Sequence, residues 1–119
     1  MADPDRSHRL EEALEAARRG DLRRAAAVYQ QLADERPDDP GLLQRLGDAL
    51  ARSGDERAAR AAFLRLARVL EEAADDRRAI AALRRAAQLG PPDAEVLERL
   101  GGRLMDVGRR ADAREPWTS

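Results

Sequence analysis

Apolar residues recur three and four positions apart along nearly the whole chain, and glycine or proline interrupts them at intervals. Leu43, Leu46 and Leu50 make one such run, and Phe63, Leu66 and Leu70 another, with charged residues filling the positions between. This spacing gathers the apolar side chains on one face of an α-helix. The interruptions fall at Gly20-Asp21, Pro37 to Gly41, Gly54-Asp55, Gly90-Pro91-Pro92 and Gly108. Between them the pattern predicts about seven helices, near 6–19, 22–36, 41–53, 56–73, 77–89, 94–107 and 109–115. Asp21, Asp55 and either Asp75 or Asp76 stand where an N-cap side chain would accept a backbone N–H. The prolines after Gly90 mark a stop. The expected fold class is all-α.

Comparing the chain with itself adds a longer period. Gly20-Asp21 and Gly54-Asp55 lie 34 residues apart, and the offset sets Ala25 on Ala59, Tyr29 on Phe63 and Leu32 on Leu66. A third copy aligns Ala79 and Leu83, and a fourth Ala113 and Trp117. Before these, Leu46-Gly47, Leu66-Ala67 and Leu100-Gly101 align, each followed four residues on by Leu50, Leu70 or Leu104. Small residues suit a close helix approach and large ones fill the space beside it. Gly101-Gly102, inside a helical pattern, reads as a second place of close packing. The chain is thus expected to be a helical hairpin stacked on itself.

The period and these residues resemble the tetratricopeptide repeat, a 34-residue helix-turn-helix unit. The resemblance covers about residues 6–117 and is best over 40–73, through Leu43, Leu46-Gly47, Leu50, Gly54-Asp55, Ala59 and Phe63. It implies a right-handed superhelix of stacked hairpins, one domain with units near 6–39, 40–73, 60–93 and 94–117. The second and third units overlap, because the unit starts are spaced 34, 20 and 34. The shortfall is close to four whole turns at 3.6 residues per turn, which keeps the apolar face in phase. One long helix near 56–73 is therefore expected to close the second unit and open the third, with Phe63 in both roles. Pro116 should stop the last helix with no polar capping helix after it, so either the chain is the amino-terminal part of a longer protein, the favoured reading, or Trp117 packs over the exposed last hairpin.

Composition narrows the function. The chain has 119 residues, 38% charged and 3% aromatic, with a net charge of −1. All 22 basic residues are arginine, a bias that suggests a GC-rich bacterial genome. Near-neutral charge and scarce aromatics argue against nucleic-acid binding. No apolar run approaches the ~18 residues of a membrane span, and the amino terminus lacks a signal sequence, so the cytoplasm is the expected location. With no cysteine, no lysine and a single histidine, His8, the chain offers neither a metal set nor a nucleophile and base; no enzyme and no cofactor are expected. Carboxylate pairs such as Glu71-Glu72 and Asp75-Asp76 read as caps and solvated charge.

What remains is binding. In tetratricopeptide-like arrays the first helix of each hairpin lines a concave groove that holds a peptide or partner protein. Carried onto this chain, the resemblance puts Gln44, Arg45, Asp48 and Arg52 in that groove, with Leu64, Arg65 and Arg68 from the long helix. Arginine there could grip a carboxylate through paired hydrogen bonds. The spacing of Asp48 and Arg52 also suits a local helix-surface pair. Some members clamp a chain-terminal carboxylate with lysine, asparagine and arginine; without lysine or asparagine this chain lacks that clamp. The expected function is a non-enzymatic adaptor or scaffold. The alternative is a self-assembling module that forms homo-oligomers through the uncapped end at Leu104, Val107, Ala111 and Trp117.

Overall fold

The computed structural model describes residues 4–114, and all regular structure among them is helical. Six helices follow in order: α1 Pro4–Arg18, α2 Leu22–Glu35, α3 Pro40–Arg52, α4 Glu56–Glu72, α5 Asp76–Ala87 and α6 Ala94–Arg114. From α2 onward, each begins where a short acidic side chain can serve the exposed N–H groups of a first turn. Asp21, Asp39, Asp55 and Asp75 accept from the amides of Arg24, Leu42, Ala58 and Arg78. Asp93 does the same for Glu95 and Val96 at the start of α6.

Three of the turns are one device used repeatedly. Gly20, Gly54 and Ala74 all have positive φ, at 85°, 92° and 59°. At each, the amide of that residue bonds back to Ala17, Ala51 or Glu71, and the amide of the following Asp reaches Ala16, Leu50 or Leu70. This is the paired closure of a helix end by a left-handed residue. The same Asp then caps the next helix, so termination and initiation share one residue. Only three residues separate the helices at 19–21, 53–55 and 73–75, which folds each pair back antiparallel.

The core lies along the seams between successive helices. Phe63, Leu66 and Leu83 are fully buried, as are the alanines Ala13, Ala25, Ala59, Ala67 and Ala79. A β-carbon built on Gly47 would stand 2.7 Å from Cζ of Phe63, so α3 meets α4 with no room for a side chain there. No charged side chain is buried among the described residues. Each helix packs mainly on its neighbours in sequence. Charged side chains then link alternate helices: Asp48 to Arg85 joins α3 to α5, Asp34 to Arg65 joins α2 to α4, and Glu71 to Arg99 joins α4 to α6. The result is a two-layered slab, odd helices in one layer and even helices in the other. Its smallest dimension is 21 Å, about two helix diameters.

Two expectations are corrected. The separate helix expected at 109–115 does not form; α6 runs without a break through Gly108 to Arg114, giving six helices among the described residues where about seven were expected. Gly108 is not at positive φ, and Arg109 follows it where the three turns have Asp, so nothing caps a new helix. Gly101 and Gly102 are not places of close packing: both are exposed, and a β-carbon at either meets no atom within 4 Å. The expected 56–73 helix is present as α4, packed against both α3 and α5. Trp117 and the proline stop lie outside the described residues.

Candidate functional site

The expected groove residues on α3 form part of a short polar chain. Gln44 is exposed and donates through Nε2 to Asp48 at 3.4 Å. Asp48 accepts from Arg85 of α5, also at 3.4 Å. The Arg85 guanidinium carbon lies 5.2 Å from the centre of the Phe63 ring, within cation–π range. A core aromatic, an arginine over it and a carboxylate holding the arginine thus tie α4, α5 and α3 together where they reach the surface. Arg52 is exposed one turn beyond Asp48 and makes no ion pair among the described residues. Arg45, two turns before Arg52 on the same flank of α3, is exposed as well.

Arg45 bears on Tyr29. Burial of Tyr29 pushes its hydroxyl pKa above the ordinary value, and the charges of Arg45 and Arg18 partly oppose that rise. The tyrosine ring is core, as its alignment with Phe63 implies; its acidic group feels arginines of α1 and α3.

The three groove residues expected from α4 go elsewhere. Leu64 is half-buried and packs on the edge of the core. Arg65 pairs with Asp34 of α2 at 3.9 Å. Arg68 is exposed and, with Pro37, Asp38, Val69 and Glu72, borders a shallow hollow beside the α2–α3 connection. The seven residues expected on one surface therefore divide. Asp48, with Gln44 bonded to it, meets α5, whereas Arg65 meets α2 and Arg68 the connection that follows it. Arg85 escaped the sequence reading. Nothing in the pattern separates it from the neighbouring Arg84, since only the packing of α5 on α3 and α4 decides which one lies over Phe63.

The other expected surface is exposed in part. Leu104 and Val107 of α6 are 40% and 36% accessible, above a groove of about 740 Å³ shared with α5. Ala111 belongs to α6, but its side chain is not among those described. At the opposite end, Arg6 and Arg9 of α1 both pair with Glu35 of α2, at 3.3 and 2.9 Å. The hydrogen bond from Arg9, reinforced by that from Arg6, holds the Glu35 carboxyl below its ordinary pKa. Among the described residues no helix is long and apolar enough to cross a membrane, and no cluster of His, Cys, Asp and Glu could hold a metal ion.

No protein-family model matches the chain. Its structure is similar to that of the Sgt2 TPR domain from Aspergillus fumigatus, with a TM-score of 0.47 at 19% identity, over 98% of this chain and 88% of that one. It is also similar to the first TPR of Spaghetti (RPAP3), solved bound to the HSP90 peptide SRMEEVD. That match has a TM-score of 0.45 at 16% identity and covers 87% of this chain and 93% of the other. Likeness at this level concerns the helical fold and assigns no residue a role.

Proposed function

We propose that the chain is a protein-interaction module built as a tetratricopeptide-like array, in which α4 closes the second hairpin and opens the third. The observation that carries this reading is the repeated turn at Gly20, Gly54 and Ala74, spaced 34 and then 20 residues. The same turn, closed by carbonyls at equivalent positions (Ala51 and Leu50, then Glu71 and Leu70), both precedes and follows α4. A stacked array of this kind holds its surface side chains on rigid helices, which limits the entropy lost on binding.

The surface assigned to the partner is the one at the junction of α3 and α5, where Gln44, Asp48 and Arg85 are already linked and Arg45 and Arg52 extend outward. A peptide or folded partner carrying carboxylates would meet Arg52 there, with no other ion pair to break. The bacterial, cytoplasmic setting expected from composition stays part of this reading.

The test uses two variants in one capture experiment. Arg45→Glu/Arg52→Glu alters the α3 surface and Arg65→Glu/Arg68→Glu the α4 surface. A partner retained by wild type and the α4 variant, but lost by an equally helical α3 variant, would support the assignment. Equal retention by all three would remove it.

A second reading rests on the exposure of Leu104 and Val107. Here the module associates with itself through α6, and its mass in sedimentation equilibrium rises with concentration until Leu104→Gln/Val107→Gln abolishes the rise.

A further inference from the structure

The apolar stripe of α6 begins inside the protein and ends outside it. Val96 is buried and Leu100 half-buried; then Leu104 and Val107, on the same face, stand uncovered. Below them Ile80 of α5 forms the floor of the 740 Å³ groove, and Ala81 lies beside it. Two helices therefore present a recess with apolar groups at one-turn intervals, the geometry that receives the apolar face of a third helix.

The rim gives the occupant its charge. Arg77 and Arg84 are seven residues apart on α5, two turns or roughly 10.5 Å along one face. Neither makes an ion pair among the described residues, and both are exposed. The one carboxylate lining the groove, Asp76, is already engaged by Arg103 at 3.7 Å and by Arg110. Arg85, also at the margin, is held by Asp48. A chain whose net charge is −1 thus concentrates unneutralised positive charge around one apolar recess.

We infer that this groove docks an acidic amphipathic helix of a partner protein, with an apolar stripe on Ile80, Leu104 and Val107. Two carboxylates about two turns apart on its flank would meet Arg77 and Arg84. The assignment stands apart from the α3–α5 surface and does not depend on it. A second copy of the chain is the poorer occupant. Among the described residues its own exposed large apolar side chains all lie on α6, which mixes Arg103, Arg109 and Arg110 with Glu98 and Asp106, so a second copy offers no uniformly acidic flank to Arg77 and Arg84. A lipid surface fits poorly too, because the apolar groups line a recess.

A display library provides the probe. Its members are amphipathic peptides of about 18 residues, five helical turns, with leucine fixed at helical spacing and Ala, Gln, Glu or Lys elsewhere. Selection on the whole chain should enrich Glu at flanking positions seven apart. Selection on Arg77→Glu/Arg84→Glu should enrich Lys instead. The leading synthetic peptide should bind wild type at least about ten-fold more tightly than it binds either Arg77→Glu/Arg84→Glu or Leu104→Gln/Val107→Gln. It should bind Arg57→Glu, at a residue that does not line the groove, as it binds wild type. All five altered side chains are exposed, and circular dichroism checks that each variant keeps its helices.

Several results would overturn the inference. These are failure to select any groove-dependent peptide, a selected pool without acidic bias, or affinity unchanged by the arginine substitutions. Concentration-dependent mass lost on Leu104→Gln/Val107→Gln would assign the groove to a second copy. Binding to phosphatidylglycerol vesicles that the peptide cannot displace would assign it to membrane.

Discussion

Gly47 faces the ring of Phe63 with no space between: a β-carbon at position 47 would lie within 2.7–2.9 Å of three ring carbons. The ring cannot retreat, because it is fully buried and Arg85 covers it. Gly47→Ala should therefore destabilise the fold by about 1–3 kcal/mol, and Gly47→Leu by more. Phe63→Ala should remove roughly 3–5 kcal/mol, and Gly47→Ala should do less damage in a Phe63→Leu background than alone. Gly101→Ala is the counter-case: it meets open space and should stabilise α6 by up to about 1 kcal/mol. Urea titrations of these variants, with Phe63→Leu alone as the reference for the double variant, check the set.

Ala74 occupies the left-handed turn position that Gly20 and Gly54 hold elsewhere. A β-carbon in that conformation costs about 1–2 kcal/mol. Ala74→Gly should accordingly raise stability by about 1 kcal/mol, despite the greater freedom of glycine in the unfolded chain. Gly54→Ala should lower it by a similar amount. Thermal unfolding midpoints moving in opposite directions would bear this out.

Arg60 bridges α4 to the connection before α6. Its guanidinium donates to the carbonyl of Leu89 and, at 2.7 Å, to that of Pro91, and lies 3.9 Å from Asp93. Arg60→Met keeps most of the aliphatic stem and removes these bonds, and should cost about 1.5–3 kcal/mol, the range for charged hydrogen bonds. Hydrogen exchange should rise first in the amides at the start of α6.

Acid should loosen the other end. Glu35 titrates below its ordinary value because Arg9, and then Arg6, hydrogen-bond its carboxylate. A depressed folded pKa means that the stabilisation is complete above the unfolded value, near 4.5, and is lost as the pH falls through the folded one. Exchange of α1 amides should therefore increase below about pH 4.5 in wild type, and Glu35→Gln should already show that increase at neutral pH. Tyr29 works at the alkaline side. Its raised value implies stability that is full below about pH 10 and declines as pH rises through the folded pKa.

Much of this architecture is legible in the residues alone. The Gly-Asp pairs announced turns at 20–21 and 54–55 because each pair supplies both halves of the device: a residue free to adopt positive φ and a carboxylate to start the next helix. The turn at Ala74 was recoverable only from the Asp and the spacing. At Gly108 the reading failed because glycine by itself tolerates a helix; without a following Asp, the backbone had nothing to gain by turning. Gly47 and Gly101 look alike in the repeat, yet only Gly47 has a helix against it. The division of the expected groove was not legible either. Whether Arg65 faces α3's polar edge or reaches Asp34 depends on the layer in which α4 lies, and periodicity along one helix carries no information about layers.

The tight turns also have a consequence for direction. In an array of hairpins the short turns lie along one rim of the slab and the longer connections along the other. Gly20 and Gly54 follow that rule, but Ala74 puts a short turn at the far end of the same α4, on the opposite rim. From that helix onward the two rims exchange roles. An array that grows by hairpins always changes by an even number of helices, and its terminal helix always points the same way. A short turn at each end of α4 permits an odd step, so parity sets which way the last helix of such an array points.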